Sequence, residues 1–188
     1  MNRKQLAQSA LIELSPDVAL RLEADLGASE STLELGGITL TDLELSTGAS
    51  RTEVRFSRPT RGVCRTARLT TGAAELIVKG AGNAGCRRWE IEGGVGALTL
   101  DLSGAWPEDA QAAVSMTLGA VRIRAPSDLG VRLTLSRFLA GFDARGFLKR
   151  GRSYLSRNYD GAARHLDLEV STTMGDINVE WVEPSPNR

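Results

Sequence analysis

At 188 residues, with 20 glycines, four phenylalanines and 41% apolar residues, the chain is long enough to bury a real core without an obligatory metal or covalent staple. Its 23 basic and 23 acidic side chains cancel, which excludes a global electrostatic pull toward nucleic acid or a membrane. No run approaches the roughly 18 apolar residues of a membrane-spanning helix, so the chain reads as soluble with no transmembrane segment.

Met1 to Ala10 carries Arg3 and Lys4 with no apolar stretch behind them, so no signal peptide is legible. Arg3 to Leu11 allows a short helix. Leu11 to Leu14 and Val18 to Leu26 read as strands interrupted by Ser15-Pro16-Asp17. From there one unit recurs: LELSTGASRTEVRF, ARLTTGAAELIV, WEIEGGVGALTLDL, VSMTLGAVRI and EVSTTMGDINV. Each is an alternating apolar run, a glycine and a second alternating run.

Aligning Gly27, Gly48, Gly72, Gly96, Gly119, Gly141 and Gly175 gives intervals of 21, 24, 24, 23, 22 and 34 residues. Apolar residues keep step with the glycines. Leu43 with Leu45, Ala67 with Leu69, and Val114 with Met116 precede them; Leu98 with Leu100, Val121 with Ile123, and Ile177 with Val179 follow. Such alternation marks half-buried strands. A unit of about 21–24 residues fits one rung of a parallel β-solenoid, in which stacked rungs bury together what none buries alone and glycine makes the corner. The competing architecture is an antiparallel sandwich with coincidental spacing.

Between the runs, Ala105 to Gln111 and Pro126 to Gly130 read as loops, and Pro184 to Arg188 as a frayed tail. Cys64 and Cys86, 22 residues apart, are the two cysteines. With one histidine, His165, the common structural zinc patterns are excluded. Two cysteine readings stay open: unpaired thiols, or a disulfide between successive rungs.

Gly80 to Gly104, GAGNAGCRRWEIEGGVGALTLDLSG, followed by Leu118 to Leu133, LGAVRIRAPSDLGVRL, resembles the bacterial toast-rack family. That group includes adhesin-type domains and the C-terminal domain of LiaF-like envelope-stress proteins. The resemblance runs roughly from Leu20 to Val182. It implies a right-handed β-helical fold and a role in envelope stress or surface adhesion, and it supplies no catalytic residues.

The Gly93 to Gly96 run lacks the Gly-Lys-Ser/Thr ending of a phosphate loop and enters a strand. His165 has Asp160 and Asp167 nearby but no nucleophile motif, which favours a surface histidine. Glu90, Glu92 and Asp101 sit on polar strand faces, where solvation is the default; an acid–base pair acting on polysaccharide is the fold-based alternative. Trp89 and Trp181 are in phase with core positions, and Trp106 beside Pro107 is the surface candidate.

The long interval before Gly175 holds the sharpest charge signal. From Arg145 to Arg164, six basic residues (Arg145, Lys149, Arg150, Arg152, Arg157, Arg164) face one acidic residue, Asp160, with Tyr154 and Tyr159 interleaved. Residues 1–50 hold three basic and eight acidic residues. The segment Phe142 to Arg164 is either a binding lobe or a loop that folds back as a cap.

These readings predict an all-β, single-domain, right-handed parallel β-solenoid with an irregular N-terminal rung (1–40), regular rungs (41–135), a basic excursion (142–164), and a final rung with tail (165–188). The expected function is non-enzymatic binding or scaffolding, linked to envelope stress or adhesion, with no cofactor, metal or catalytic residue. Expected partners are a protein or an anionic envelope component, with self-association through the acidic end of another copy; nucleic acid is not expected. The location is the envelope or extracytoplasmic space if an export signal has been removed, and the cytoplasm otherwise. The alternative is a carbohydrate-active β-helix enzyme using surface carboxylates.

Overall fold

Alternating apolar residues draw the chain into strands, and glycines bend the strands along two adjacent lines. The computed structural model describes residues 10–184. The first two units each contain two strands: β1 (Ala19–Leu26) with β2 (Glu30–Glu34), then β3 (Thr39–Thr47) with β4 (Arg51–Arg55). Later units are single strands running through the bend: β5 (Cys64–Lys79), β6 (Cys86–Asp101), β7 (Ala110–Pro126) and β8 (Gly130–Phe142). A helical turn, α1 (Ala81–Ala84), separates β5 from β6; β9 (Phe147–Arg150), β10 (Ser153–Ser156), a 3-10 turn (Tyr159–Gly161) and β11 (His165–Val182) complete the chain.

All strands join one open sheet in the order β1-β3-β5-β6-β7-β11-β8-β10-β9, with β2 and β4 extending it beside the second half of β5. The rungs pair in parallel, whereas β10 runs antiparallel to both β8 and β9. The sheet is therefore mixed. The antiparallel end departs from a purely parallel expectation because a short connection between adjacent strands makes a hairpin.

Two other expectations need correction. Leu11 to Leu14 forms no strand, and β1 begins at Ala19; a strand at the outer edge needs a neighbour to pair with, and this segment has none among the described residues. Ala110 and Gln111, assigned to a loop, already pair within β7. The helix expected from Arg3 to Leu11 falls mostly outside the described residues, as does the tail beyond Pro184.

The corner also differs from the simple glycine alignment. Gly94, not Gly96, stands over the carbonyl of Gly72, continuing the Gly27, Gly48, Gly72 line. Gly96 instead pairs with Ala74 and starts a second line through Gly119 and Gly175. The run Gly93-Gly94-Val95-Gly96 thus serves both lines. Gly96, Gly119 and Gly175 have φ of 141°, 143° and 137°, and a Cβ on each would collide with the carbonyl of the residue stacked on it.

That close approach accounts for the largest departure. The expected final rung is not at the end: β11 inserts between β7 and β8. In this column β11 offers Gly175, while β8 offers Ala140; Gly141 pairs with Asp176. Only glycine fits against the Gly119 carbonyl, so β11 takes the inner place and β8 lies outside it. A one-residue slip of β8 would bring Gly141 into line but turn its apolar face outward.

The inner face is one connected cluster from Leu35 to Ile177. Leu100, Met116 and Ile123 are buried, as their phase predicts. Sizes compensate between rungs: Trp89 in β6 lies between Ala67 in β5 and Ala112 in β7, with Phe56 edge-on at 6.1 Å. This interlocking keeps the core dense without changing strand spacing. Cys64 and Cys86 are paired in register and joined as a disulfide, with Cα atoms 4.3 Å apart.

Two outcomes test this packing. Leu100→Ala should lower stability by about 2–5 kcal/mol in denaturant unfolding, the usual range for a buried leucine; an unchanged midpoint would exclude the column. On the outer face, Glu53 accepts from Arg55 at 2.7 Å and pairs with Lys79 at 2.5 Å. These hydrogen bonds push its carboxyl from 4.5 down to about 2. The folded value lies below the unfolded one, so this contribution is present above pH 4.5 and is lost as pH falls toward 2. Glu53→Gln should flatten that part of an acid titration of stability; identical acid curves for the two proteins would contradict it.

Candidate binding surface

The basic excursion is a hairpin. Gly146 and Gly151, at φ of 86° and 61°, turn the chain around β9 and β10 where a side chain would be strained. Phe147 and Leu155 are buried, and Phe142, Phe147, Tyr154 and Trp181 form a ring cluster with centroids 5.1–6.5 Å apart. The Trp181 Nε1–H donates to the Arg145 carbonyl at 3.2 Å. The hairpin therefore extends the β8 end of the sheet, with Phe147 buried and Tyr154 half-buried.

Its cations differ in what they touch. Arg145 is taken by Asp143, and the Arg145 backbone N–H and guanidinium hold the Asp143 carboxyl below the usual carboxylate range. Arg150 reaches Asp160 at 3.2 Å. Lys149 lies 6.0 Å from the Tyr154 ring centre, while Arg164 donates to the neighbouring Ala163 carbonyl. Among the described residues, Lys149, Arg152 and Arg157 are exposed and have no carboxylate partner.

Tyr159 belongs elsewhere. It lines a cleft of about 780 Å³ on the outer face, together with Arg65, Arg87, Arg88, Asp109, Gln111, Arg132, His165 and Asp167. Strand register builds this cleft: Thr66, Arg88, Gln111, Asp167 and Arg132 are successive partners across five strands. Arg132 donates to the Tyr159 hydroxyl at 2.6 Å and pairs with Asp167 at 3.3 Å. His165 stacks edge-on against Tyr159 at 4.7 Å, and its backbone N–H donates to Asp109 at 2.9 Å. Sequence reasoning singled out only Tyr159, His165 and, in passing, Asp167; the outward phase of Arg88, Gln111 and Arg132 was the available signal.

The other singled-out residues have structural partners. Glu90 accepts two bonds from Arg68, and Asp101 accepts from Arg124 and the Ser103 backbone. Glu92 is exposed. Trp106, expected at the surface, is half-buried against the core, its Nε1–H donating to the Leu102 carbonyl. Among the described residues, no cluster of three or more His, Cys, Asp or Glu is arranged to hold a metal ion, and no helix is long and apolar enough to cross a membrane.

Comparison with known proteins gives two family matches: residues 1–79 with the N-terminal domain of toast_rack (DUF2154), and residues 84–179 with the C-terminal region of LiaF, cell wall-active antibiotics response. The junction falls around α1. A crystal structure from Clostridium sporogenes ATCC 15579, described as "a putative cell adhesion protein", superimposes with a TM-score of 0.59 over 90% of this chain and 96% of that one. At 13% identity, this likeness concerns the fold alone. No curated protein matches the chain.

If the aromatic cluster pins the hairpin, Phe147→Ala should cost about 3 kcal/mol and speed amide hydrogen exchange in β9 and β10 more than in β6. Uniform exchange across the sheet would show that the hairpin is held by something else.

Proposed function

Since the chain belongs to the LiaF-like C-terminal family of toast-rack proteins, we propose that it is a non-enzymatic binding domain of the bacterial cell envelope. It serves envelope stress or adhesion and engages an anionic envelope component. The two matched regions act as one domain in this reading, which the continuous β5–β6 ladder and the Cys64–Cys86 bond across the junction support. The stacked rungs form a right-handed parallel solenoid closed at one end by the hairpin; connections between parallel strands of one sheet are right-handed in nearly all proteins.

One observation carries the binding reading. Basic side chains over most of the described surface have a carboxylate within ion-pairing distance. The exceptions are Arg58, Arg137, Lys149, Arg152, Arg157 and Arg164, and all but Arg58 cluster in one stretch of chain. Unneutralised charge held on a pinned hairpin is available to an external anion without first breaking an ion pair.

The carbohydrate-enzyme alternative asks for two free, convergent carboxylates. Asp109 and Asp167 line the same cleft, but each already accepts from a neighbour, His165 and Arg132 respectively. This supports a binding role over hydrolysis. In the test, Lys149→Glu, Arg152→Glu and Arg157→Glu together should abolish salt-sensitive binding to isolated envelope fragments and to soluble polyphosphate, while the melting temperature stays near wild type. Undiminished binding would sink the assignment to the hairpin, and no wild-type binding to either anion would sink the function.

A further inference from the structure

Four rungs place a large apolar side chain outside at the same position. Val95, Leu118, Met174 and Leu139 are successive partners across β6, β7, β11 and β8, and they are 50%, 41%, 46% and 57% exposed. Phe138, beside Leu139, is 79% exposed. The corner causes this. Along β7, Met116 faces in, Thr117 and Leu118 both face out, Gly119 turns the chain, and Val121 faces in again. The residue before each turn thus stands on the convex edge, and strand spacing of about 4.8 Å makes the row roughly 14 Å long.

One cation stands at the corner itself: Arg137 precedes Phe138. The hairpin extends the sheet beyond β8 on the Leu139 flank, but Ser153 pairs with Thr134 and Lys149 with Tyr154, so Lys149 and Arg152 stand roughly 13–20 Å down the leg from the corner. Glu92 and Asp176 flank the row, while Ser115, Thr117, Ser171 and Thr173 between the rungs are uncharged.

We propose that this corner seats on an anionic lipid bilayer. The apolar row enters the boundary between headgroups and acyl chains, and Arg137 beside Phe138 holds an anionic headgroup. A lipid surface fits better than a folded partner. A row one side chain wide falls well short of the roughly 800 Å² per side that a stable protein interface buries, whereas a bilayer accepts each apolar group separately. This inference rests on the anionic-envelope reading and adds that the component is lipid.

The full chain is mixed with vesicles of phosphatidylcholine alone or with about one-third phosphatidylglycerol, and in parallel with soluble polyphosphate. Wild type should cosediment with the anionic vesicles. Changing Leu118, Phe138, Leu139 and Met174 to Ser should weaken that binding about tenfold or more and leave polyphosphate binding unchanged. A single Leu118→Trp variant should in addition be quenched by brominated lipid, beyond any quenching of the wild type. Wild-type binding to polyphosphate but not to vesicles would overturn the lipid assignment and keep the anionic one; binding to neither would overturn both. Equal vesicle binding by the serine variant would overturn the row's role, as would a serine variant that changes the oligomeric state in light scattering without changing vesicle affinity.

Discussion

Backbone contact at the corner is the constraint on which the rest of the molecule depends. At Gly94, Gly96, Gly119 and Gly175 the neighbouring strand's carbonyl lies so close that a Cβ cannot enter, and the last three have positive φ as well. Steric exclusion, stronger than any single favourable contact, thereby selects which strands can be neighbours. It places Gly175 against Gly119, sends β8 with Ala140 to the outer position, and so makes the chain double back. The hairpin follows from that exchange, because β8 is left with an edge that must be paired or covered.

The corner also separates two kinds of surface. Inside the bend, apolar columns interlock by size, with alanines on either side of Trp89. Outside, the flat legs carry long charged side chains that pair along and between rungs, as Arg68 does with Glu90 and Arg65 with Asp42. Individually such exposed pairs contribute little. Their consequence is mainly to leave the described outer face nearly neutral, which makes the unpaired cations between 137 and 164 stand out electrostatically. The convex edge has neither alternation nor ion pairs, and there apolar groups remain in water.

The side chains open to other molecules lie on the outside of the sheet. The outer cleft around His165 is lined by Arg, Asp and Tyr groups that bond to one another. A hairpin pinned by four aromatic rings and a neighbouring apolar edge offer a rigid surface instead, with no hinge needed for contact.

Much of the architecture was legible in the residues themselves. Alternation identified the strands and the buried phase of Leu100, Met116 and Ile123, because the two-residue side-chain period depends only on local backbone geometry. The interval of 22 residues likewise put Cys64 beside Cys86 once one rung was laid on the next. The charge contrast between residues 1–50 and 145–164 needs only counting. Strand order, by contrast, was decided in three dimensions: Gly141 and Gly175 look equivalent along the chain, and only the approach of the Gly119 carbonyl distinguishes them. The same holds for the surface. Val95, Leu118, Met174 and Leu139 lie far apart in sequence and become one row only through register, while Arg150 and Arg152 look alike until Asp160 neutralises one of them. Local periodicity determined the rungs; the distance between backbones at the corner decided how they stack and what their outer edge presents.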